Sequence, residues 1–572
     1  MGISVGEEDP LDEAWRVKAR EEPWGAGFDF VVANPPYVTP KRQPVLDQVR
    51  HTPFFSEALA QDLNLYLLFF RLAEHYLADG GSAVLISPLT LLGDDSAENT
   101  RRLVTNRRLR LTGVSRFYRG TVLFPGVDQM VMIARFEAGD PGRADPDVEL
   151  RGGLDENEAA AEAVTMPGPW VVSPPKPEFP PALPDPWTNA WLHVADEAAH
   201  EIWRLAADAA GANVHHLLER SLSARQGDVN TASVRPLLRD APGPHRMPAY
   251  TAKAAQPLAS IPEPEEWAEV PASPRPTGHE AVLDRIAGLT EKESGIILQE
   301  MANVHVTRRL QATWFERDSS DPKVFLHTLW RFVAKEGQER HAKAILGFLS
   351  SGLASYLFGL WSTNNHVQAN TLRRLPCPTP DTFPEEELAE ATDSALEHRA
   401  AAEDAISGGL GRFVRPAGVK MAPTGLLRAS GVPTITLADA ELRGTITRQS
   451  SGSQRVDRLL GDGRLQAADP RYLQEVTSLL RSAGSTQWER AKGSLLLPEP
   501  AHLGRFVAER DRLTEAAERA ARDFEAAREA IDAIVADWYG LPDELARAAA
   551  RGVPFSYANA RASAEDQEEE EA

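Results

Sequence analysis

Apolar residues near the start of the chain fall into short runs whose spacing predicts the first elements. Residues 28–33 (FDFVVA) form an almost wholly apolar run, which is typical of a strand buried on both faces of a parallel sheet. Residues 62–77 show the pattern of a buried helix that ends at Gly80 and Gly81. Residues 82–88 (SAVLISP) predict the next core strand, so the chain opens as a strand–helix–strand unit.

The same periodicity predicts elements further along the chain. Residues 90–102 indicate a helix, and residues 111–117 and 127–136 indicate two strands. An amphipathic helix is predicted for residues 342–360.

Near the end of the chain, apolar residues recur every three or four positions from Leu503 to Trp538. This spacing predicts one long helix with a single apolar seam, which Gly540 and Pro542 stop. We expect it to pack against the preceding domain, because an alanine-rich seam favours close contact within one chain.

Composition places the chain among soluble globular proteins with three or four domains: it has 572 residues, of which 42% are hydrophobic and 25% charged. Its single cysteine, Cys377, cannot form an internal disulfide, and no apolar run reaches about 18 residues. We therefore expect a cytoplasmic protein that does not contact a membrane.

The formal net charge of −22 argues against nonspecific nucleic-acid binding over the whole surface, but it leaves room for a local basic cleft. Part of the negative charge lies in the tail of residues 565–571, which is typical of a disordered end. No metal-binding spacing such as HExxH, CxxC or an EF-hand occurs, so no metal site is predicted.

Asn34, Pro35, Pro36 and Tyr37 come directly after the first predicted strand. In open α/β sheets, ligands bind at the carboxyl ends of the strands. The two prolines fix the backbone so that the Asn34 amide oxygen and the Pro35 carbonyl can face one donor, for which we suggest the exocyclic amine of adenine. The alternative is a proline turn at the end of a strand.

This NPPY sequence after an apolar strand resembles the catalytic loop of the adenine N6 class of DNA methyltransferases. In that family the asparagine and the first proline carbonyl accept hydrogen bonds from the target amine, and the aromatic residue stacks on a flipped base. The resemblance implies that Asn34, Pro35 and Pro36 are catalytic and that Tyr37 is both catalytic and base-stacking. A later stretch, residues 121–126 (TVLFPG), resembles the loop that stacks on the other face of the base, which implies the same role for Phe124. A hydrophobic plug under a turn explains Phe124 equally well.

The resemblance also implies S-adenosylmethionine as the cofactor, but the expected cofactor-binding part is not visible. A Gly-rich turn after a strand and a second strand ending in an acid should precede the NPPY motif, and each such unit needs roughly 30 residues. Gly25 and Gly27 have no predicted strand before them, and Gly461 and Gly463 lie in a polar turn. We therefore expect an incomplete cofactor site and consider a separate cofactor-binding subunit as a partner.

Three polar stretches, around residues 223–230, 300–310 and 362–370, resemble the specificity half of type II restriction–modification and phage-defence methylases. They imply double-stranded DNA as the other partner. Taken singly, each residue is more often a turn or cap residue. As a pool, their side chains are of the kinds that read base edges or hold phosphates: Arg225, Gln226, Asn230, His305, Arg308, Arg309, Asn364, Asn365, His366 and Asn370.

The predicted fold class is α/β, with a partial methyltransferase-like (Rossmann-like) sheet, an α+β target-recognition domain and a C-terminal helical region. The predicted function is adenine N6 methylation of DNA within a restriction–modification or phage-defence system. The alternative is a noncatalytic recognition subunit, or a truncated remnant without the cofactor pocket. The predicted domains are 1–140 (catalytic-loop half), 141–190 (proline-rich linker), 191–385 (target recognition), 386–500 (mixed, no role assigned), 501–550 (C-terminal helix) and 551–572 (acidic tail).

Overall fold

The structure, a computed structural model, forms two compact units: Met1–Thr392 with Ala530–Ala572, and Asp393–Glu529. Parts of both units are described. The described residues are 27–39, 49, 53–55, 64–106, 109–117, 130–139, 146–151, 164–168, 191, 197–270, 280–287, 289, 292–300, 308–318, 320–362, 366–367, 369–406, 421–429, 432–437, 440–442, 494–498 and 503–551.

A six-stranded mixed sheet lies in the first unit. Its neighbours run in the order β1-β2-β4-β3-β5-β6. The β1/β2 and β3/β5 pairs are parallel and the other pairs are antiparallel. Strands β5 and β6 lie inside residues 141–190, which the sequence predicts as a linker. The bounds are β1 (Phe28–Ala33), β2 (Leu77–Pro88), β3 (Leu109–Phe117), β4 (Val131–Ala138), β5 (Val148–Arg151) and β6 (Val164–Met166).

Two helices, α1 (Tyr66–Tyr76) and α2 (Glu98–Asn106), accompany this six-stranded sheet. The sequence predicts that Gly80 and Gly81 end the first helix, but that is wrong, because both glycines lie inside β2. Gly81 permits close approach between the strands, because a Cβ there would lie 2.9 Å from the carbonyl oxygen of Phe28, whereas Gly80 has a φ of +76°. The helix predicted from residue 90 begins only at residue 98, after two 3₁₀ turns.

The burial of β1 differs from the prediction. Phe30 is 76% exposed and Val32 is 79% exposed, so the strand is not buried on both faces. Within the described part of the sheet, β1 is an edge strand that pairs only with β2. Val31 and Ala33 point to the opposite side and are less exposed. One apolar side of β1 is therefore open to solvent.

The rest of the first unit is built around three smaller sheets, in the orders β11-β14-β13-β16-β8, β15-β10-β12-β9 and β17-β7. Buried side chains such as Ile297, Phe315 and Phe325 form a core against the five-stranded sheet. The bounds are β7 (Ala212–Asn213), β8 (Leu222–Gln226), β9 (Leu238–Arg239), β10 (Arg246–Tyr250), β11 (Ala259–Ser260), β12 (Glu266–Glu269), β13 (Glu293–Gln299), β14 (Ala312–Arg317), β15 (Val324–Phe325), β16 (Leu329–Ala334) and β17 (Pro376–Cys377).

Seven helices accompany these sheets in the described residues: α3 (Glu197–Ala209), α4 (Val214–Ser221), α5 (Thr231–Val234), α6 (Glu280–Ala287), α7 (Glu339–Ser350), α8 (Gly352–Trp361) and α9 (Ala369–Arg373). The single helix predicted for residues 342–360 is wrong: α7 and α8 are separate and meet at an angle of 62°. Ser351 causes the break, because its side chain accepts a hydrogen bond from Ala354 N–H and so starts a new helix. No single helix among the described residues is long and apolar enough to cross a membrane, and this bent pair reaches that length only when joined.

Helix α10 (Glu385–Ile406) spans the boundary between the units in the sequence, after Thr392. The second unit includes an antiparallel sheet in the order β20-β19-β18-β21. The long helix predicted from Leu503 is α11 (Leu503–Trp538), and α12 (Asp543–Arg551) follows it after the turn at Gly540. The bounds of the strands are β18 (Met421–Ala429), β19 (Val432–Leu437), β20 (Ala440–Leu442) and β21 (Ser494–Pro498). The α/β fold class predicted from the sequence is confirmed.

Candidate active site

The loop of residues 34–37, called the NPPY loop below, leaves the sheet at the carboxyl end of β1. Asn34 and Pro36 are exposed, Pro35 is buried and Tyr37 is half-buried. The loop is tied to the start of α1, because Leu65 N–H donates to the Val38 carbonyl oxygen at 3.0 Å. The Asn34 amide is thus held at the end of β1 by the buried Pro35 beside it and by the hydrogen bond at Val38 further along the loop.

Tyr37 is positioned by a second tyrosine. Its ring meets the ring of Tyr66 edge to face, with centroids 6.2 Å apart and an interplanar angle of 86°. Tyr66 is the first residue of α1 and is buried, and its hydroxyl lies 3.4 Å from Thr90 Oγ1. Edge-to-face packing covers at most one face of each ring, so this contact orients Tyr37 and leaves at least one face of its ring clear of Tyr66.

The hydroxyl of Tyr37 is buried and has no hydrogen-bond partner among the described residues. Burial raises the pKa of Tyr37 to about 12, so this hydroxyl stays protonated at neutral pH. The side chain therefore acts through its ring rather than as an acid or base.

The carboxyl ends of β1 and β2 meet at this site, as expected for neighbouring parallel strands. Thr90 follows the end of β2, and Arg101 closes the turn after it by donating to the carbonyl oxygens of Leu91 (2.7 Å) and Asp94 (2.8 Å). Tyr66 and Thr90 were not predicted as site residues, because nothing in the motif itself indicates which helix residue packs against its tyrosine. Phe124 lies outside the described residues.

The polar residues predicted to contact DNA fall into two groups in the structure. Arg225, Gln226 and His366 are exposed, as is Asn230, whose side chain caps α5 by accepting from Ala232 N–H at 2.9 Å. The side chains of His305, Asn364, Asn365 and Asn370 lie outside the described residues.

Arg308 and Arg309 form the second group, because both are buried. Arg309 is only 1% exposed, donates to the Ser362 carbonyl oxygen at 2.7 Å and lies over the ring of Phe358. Burial lowers the pKa of Arg309 to about 9. Both guanidinium groups thus make contacts inside the protein.

Cys377 is also buried. Burial raises the pKa of its thiol well above its usual range, so the thiol is held in its unreactive protonated form.

The comparison with protein families places the NPPY loop in a known family context. A family model described as the Eco57I restriction-modification methylase matches residues 6–112. That range contains β1, the NPPY loop, α1, β2 and α2. No curated protein matches the chain significantly.

Solved structures provide the third comparison. The type IIL restriction-modification enzyme MmeI in complex with DNA is 12% identical, with a TM-score of 0.42, over 65% of this chain and 49% of that chain. The type IIG restriction endonuclease BpuSI is 15% identical, with a TM-score of 0.26, over 64% of this chain and 49% of that one. The DrdV–DNA complex is 10% identical, with a TM-score of 0.37, over 87% and 56%. The chain therefore spans about half the length of the first two proteins.

Proposed function

We propose that this chain carries the catalytic loop and the DNA-reading region of an adenine N6 DNA methyltransferase of a restriction–modification or phage-defence system. The observation that carries the proposal is the NPPY loop itself. It presents an exposed Asn34 amide beside a half-buried Tyr37 ring at the carboxyl end of a parallel strand pair. The match of residues 6–112 to a restriction–modification methylase model supports it.

In this proposal the side chains of the loop orient the target rather than activate it. The Asn34 amide oxygen and the Pro35 carbonyl oxygen accept the two hydrogens of the adenine amine, which turns the nitrogen lone pair away from the ring. Tyr37 stacks on the base once it has left the duplex. S-adenosylmethionine is the methyl donor that such a reaction requires.

In this proposal the chain does not complete the pocket for that donor by itself. Gly27, the described glycine nearest the loop, has a φ of +81° and a Cβ there would lie 2.8 Å from Ala78 N. It therefore serves the close packing of β1 against β2 and does not cradle a nucleotide. We assign no residue of this chain to holding the donor.

We infer that a polypeptide carrying the cofactor pocket pairs with the open edge of β1. A strand added there in parallel would end beside Asn34, because the carboxyl ends of parallel strands share one edge of a sheet. Its helices would cover Phe30 and Val32, whose exposure is unusual for a parallel sheet. The same open edge is compatible with the second candidate, a recognition subunit or remnant that does not methylate.

The test separates the two candidates. The purified chain is assayed with S-adenosylmethionine and duplex DNA, alone and with a polypeptide that carries the cofactor-binding half of such an enzyme, and methylated nucleosides are identified by mass spectrometry. N6-methyladenine formed by the mixture supports the proposal. Methylcytosine as the product, or DNA binding without methylation in every mixture, overturns it.

A further inference from the structure

A cavity of about 480 Å³ opens between the five-stranded sheet and α6. Its walls come from four strands of that sheet and from the helix, so it is built from regular elements. At its base, Asp228 and Glu293 face Arg317 and Arg331. All four are buried side chains.

These four side chains form a closed ionic network. Asp228 lies 2.7 Å from Arg317 Nη1 and 2.9 Å from Arg331 Nη1, and Glu293 lies 2.7 Å from Arg317 Nη2 and 2.8 Å from Arg331 Nη1. Asp228 also accepts the backbone N–H of Phe325 at 3.0 Å. Two carboxylates therefore neutralise two guanidinium groups, and the network contributes no net charge to the cavity.

Two further arginines, at the mouth of the cavity, are not neutralised by this network. Arg225, at the end of β8, has a 56% exposed side chain and lies 3.6 Å from Glu293, whose charge the buried arginines already share. Arg285, on α6, is exposed. Counting the four arginines of the cavity against its two acids leaves a formal charge of +2.

Neutral hydrogen-bonding groups complete the wall. Gln226 is exposed beside Arg225, and His327 lines the same cavity. Burial, with the charge of Arg285 nearby, lowers the pKa of His327, so its ring is neutral at pH 7. The Nε atoms of Arg317 and Arg331 are buried without a hydrogen-bond partner among the described residues. The cavity thus offers the guanidinium groups of Arg225 and Arg285, whose positive charge the buried network does not neutralise.

We propose that this cavity binds a phosphate group of the DNA backbone, with Arg225 and Arg285 as its direct contacts. A guanidinium group matches phosphate oxygens with two parallel hydrogen bonds, and a pair of them suits a single phosphodiester better than the edge of a base. The ionic network below fixes the sheet ends that carry Arg225 and so positions it. This inference rests on the proposed DNA substrate, but not on the catalytic chemistry of the NPPY loop.

The experiment measures duplex affinity as a function of salt for the whole chain. Losing one phosphate contact should reduce the slope of log K against log[salt] by about 1. Because both arginines contact the same phosphate, R225A/R285A should lower the slope by about 1 in total, and R225A and R285A should each lower it by part of that amount. R204A is the matched control, because Arg204 lies on α3 and is already paired with Glu201 and Asp208. Its slope should equal that of the parent.

The outcomes separate the possible explanations. Unchanged slopes in both variants overturn the proposal. Unchanged slopes together with binding of inorganic phosphate or a mononucleotide that R285A abolishes would assign the cavity to a free phosphate compound instead. R225Q and R285Q, which remove the charge but keep a polar side chain, give the same test if the corresponding alanine variant unfolds. A chain that fails to methylate but shows the expected slopes would refute the enzyme and leave this site standing.

Discussion

Arg308 and Asp532 form an ion pair, with Arg308 Nη2 lying 2.5 Å from Asp532 Oδ2, although 224 positions separate them in the sequence. Asp532 also accepts Gly352 N–H at 2.8 Å, and Arg308 donates to the Ser350 carbonyl oxygen. This partly buried pair therefore links the end of α11 to the break between α7 and α8.

This contact leads to a prediction about Arg308, which the sequence assigns to DNA binding. We expect R308A to lower the free energy of unfolding by about 2–3 kcal/mol, because it removes the guanidinium that pairs with Asp532 Oδ2 and donates to the Ser350 carbonyl oxygen. Chemical denaturation of the parent, R308A, D532N and the double variant measures it. The double variant should be less destabilised than the sum of the single ones.

The same variant tests the DNA-binding role. If R308A keeps the stability of the parent but loses affinity for duplex DNA with a flatter salt dependence, the arginine contacts phosphate and the structural role is refuted. R246A is the control, because Arg246 is a more accessible arginine of the same unit, and its guanidinium donates to the nearby Ala241 carbonyl oxygen at 2.8 Å.

Local patterns were sufficient to predict the NPPY loop and its place at a strand end. Residues 28–33 are almost wholly apolar and two prolines follow at positions 35 and 36, so both signals lie within ten residues. Burial was not predictable in the same way. Whether Phe30 is covered depends on which strand lies beside β1, and residues far from the motif in the sequence determine which strand that is.

The arginines and helices show the same limit. Arg308 and Arg309 sit in a polar stretch that is typical of a surface, but their partners come from residues 350–362 and from Asp532. The break at Ser351 was missed because the residues on both sides are apolar, so the hydrophobic pattern continues through it. Long-range partners and caps inside apolar runs leave no periodic signal.

The open side of β1 supports a prediction about assembly. We expect the double variant F30S/V32S to change the stability of the isolated chain by less than about 0.5 kcal/mol, because both side chains are already exposed. The same variant should lose most of its affinity for the cofactor-binding polypeptide, since those side chains would form the contact. Thermal unfolding and calorimetric titration measure the two effects.

The control for this prediction is L85A in β2. Leu85 is fully buried in the same sheet, so its truncation should destabilise the isolated chain by about 2–5 kcal/mol. An F30S/V32S chain that unfolds as readily as L85A would show that β1 is covered within this chain. Undiminished affinity for the polypeptide would show that it binds elsewhere.

Tyr37 is expected to act through its ring. Because its hydroxyl has no described partner, Y37F should methylate at close to the parental rate, and Y37W should also be tolerated. Y37A should slow methylation, since it removes a stacking contact worth roughly 1–3 kcal/mol. Single-turnover methylation by the assembled enzyme measures this series. A Y37F rate as low as that of Y37A would show that the hydroxyl takes part.

Asn34 separates the chemistry of the loop from its structure. The side chain is exposed at the end of β1, so N34A should leave the unfolding transition unchanged. Affinity for duplex DNA should also hold, because it comes mainly from phosphate contacts made elsewhere. Methylation by the assembled enzyme should be abolished. Asn34 would accept from the adenine amine only once the base has flipped, and N34A removes this acceptor, which directs the nitrogen lone pair. The exposed Thr39 provides the matched control, and T39A should methylate at the parental rate. If N34A methylates at that rate, or if it unfolds, the NPPY loop is a structural turn and the enzymatic proposal is wrong.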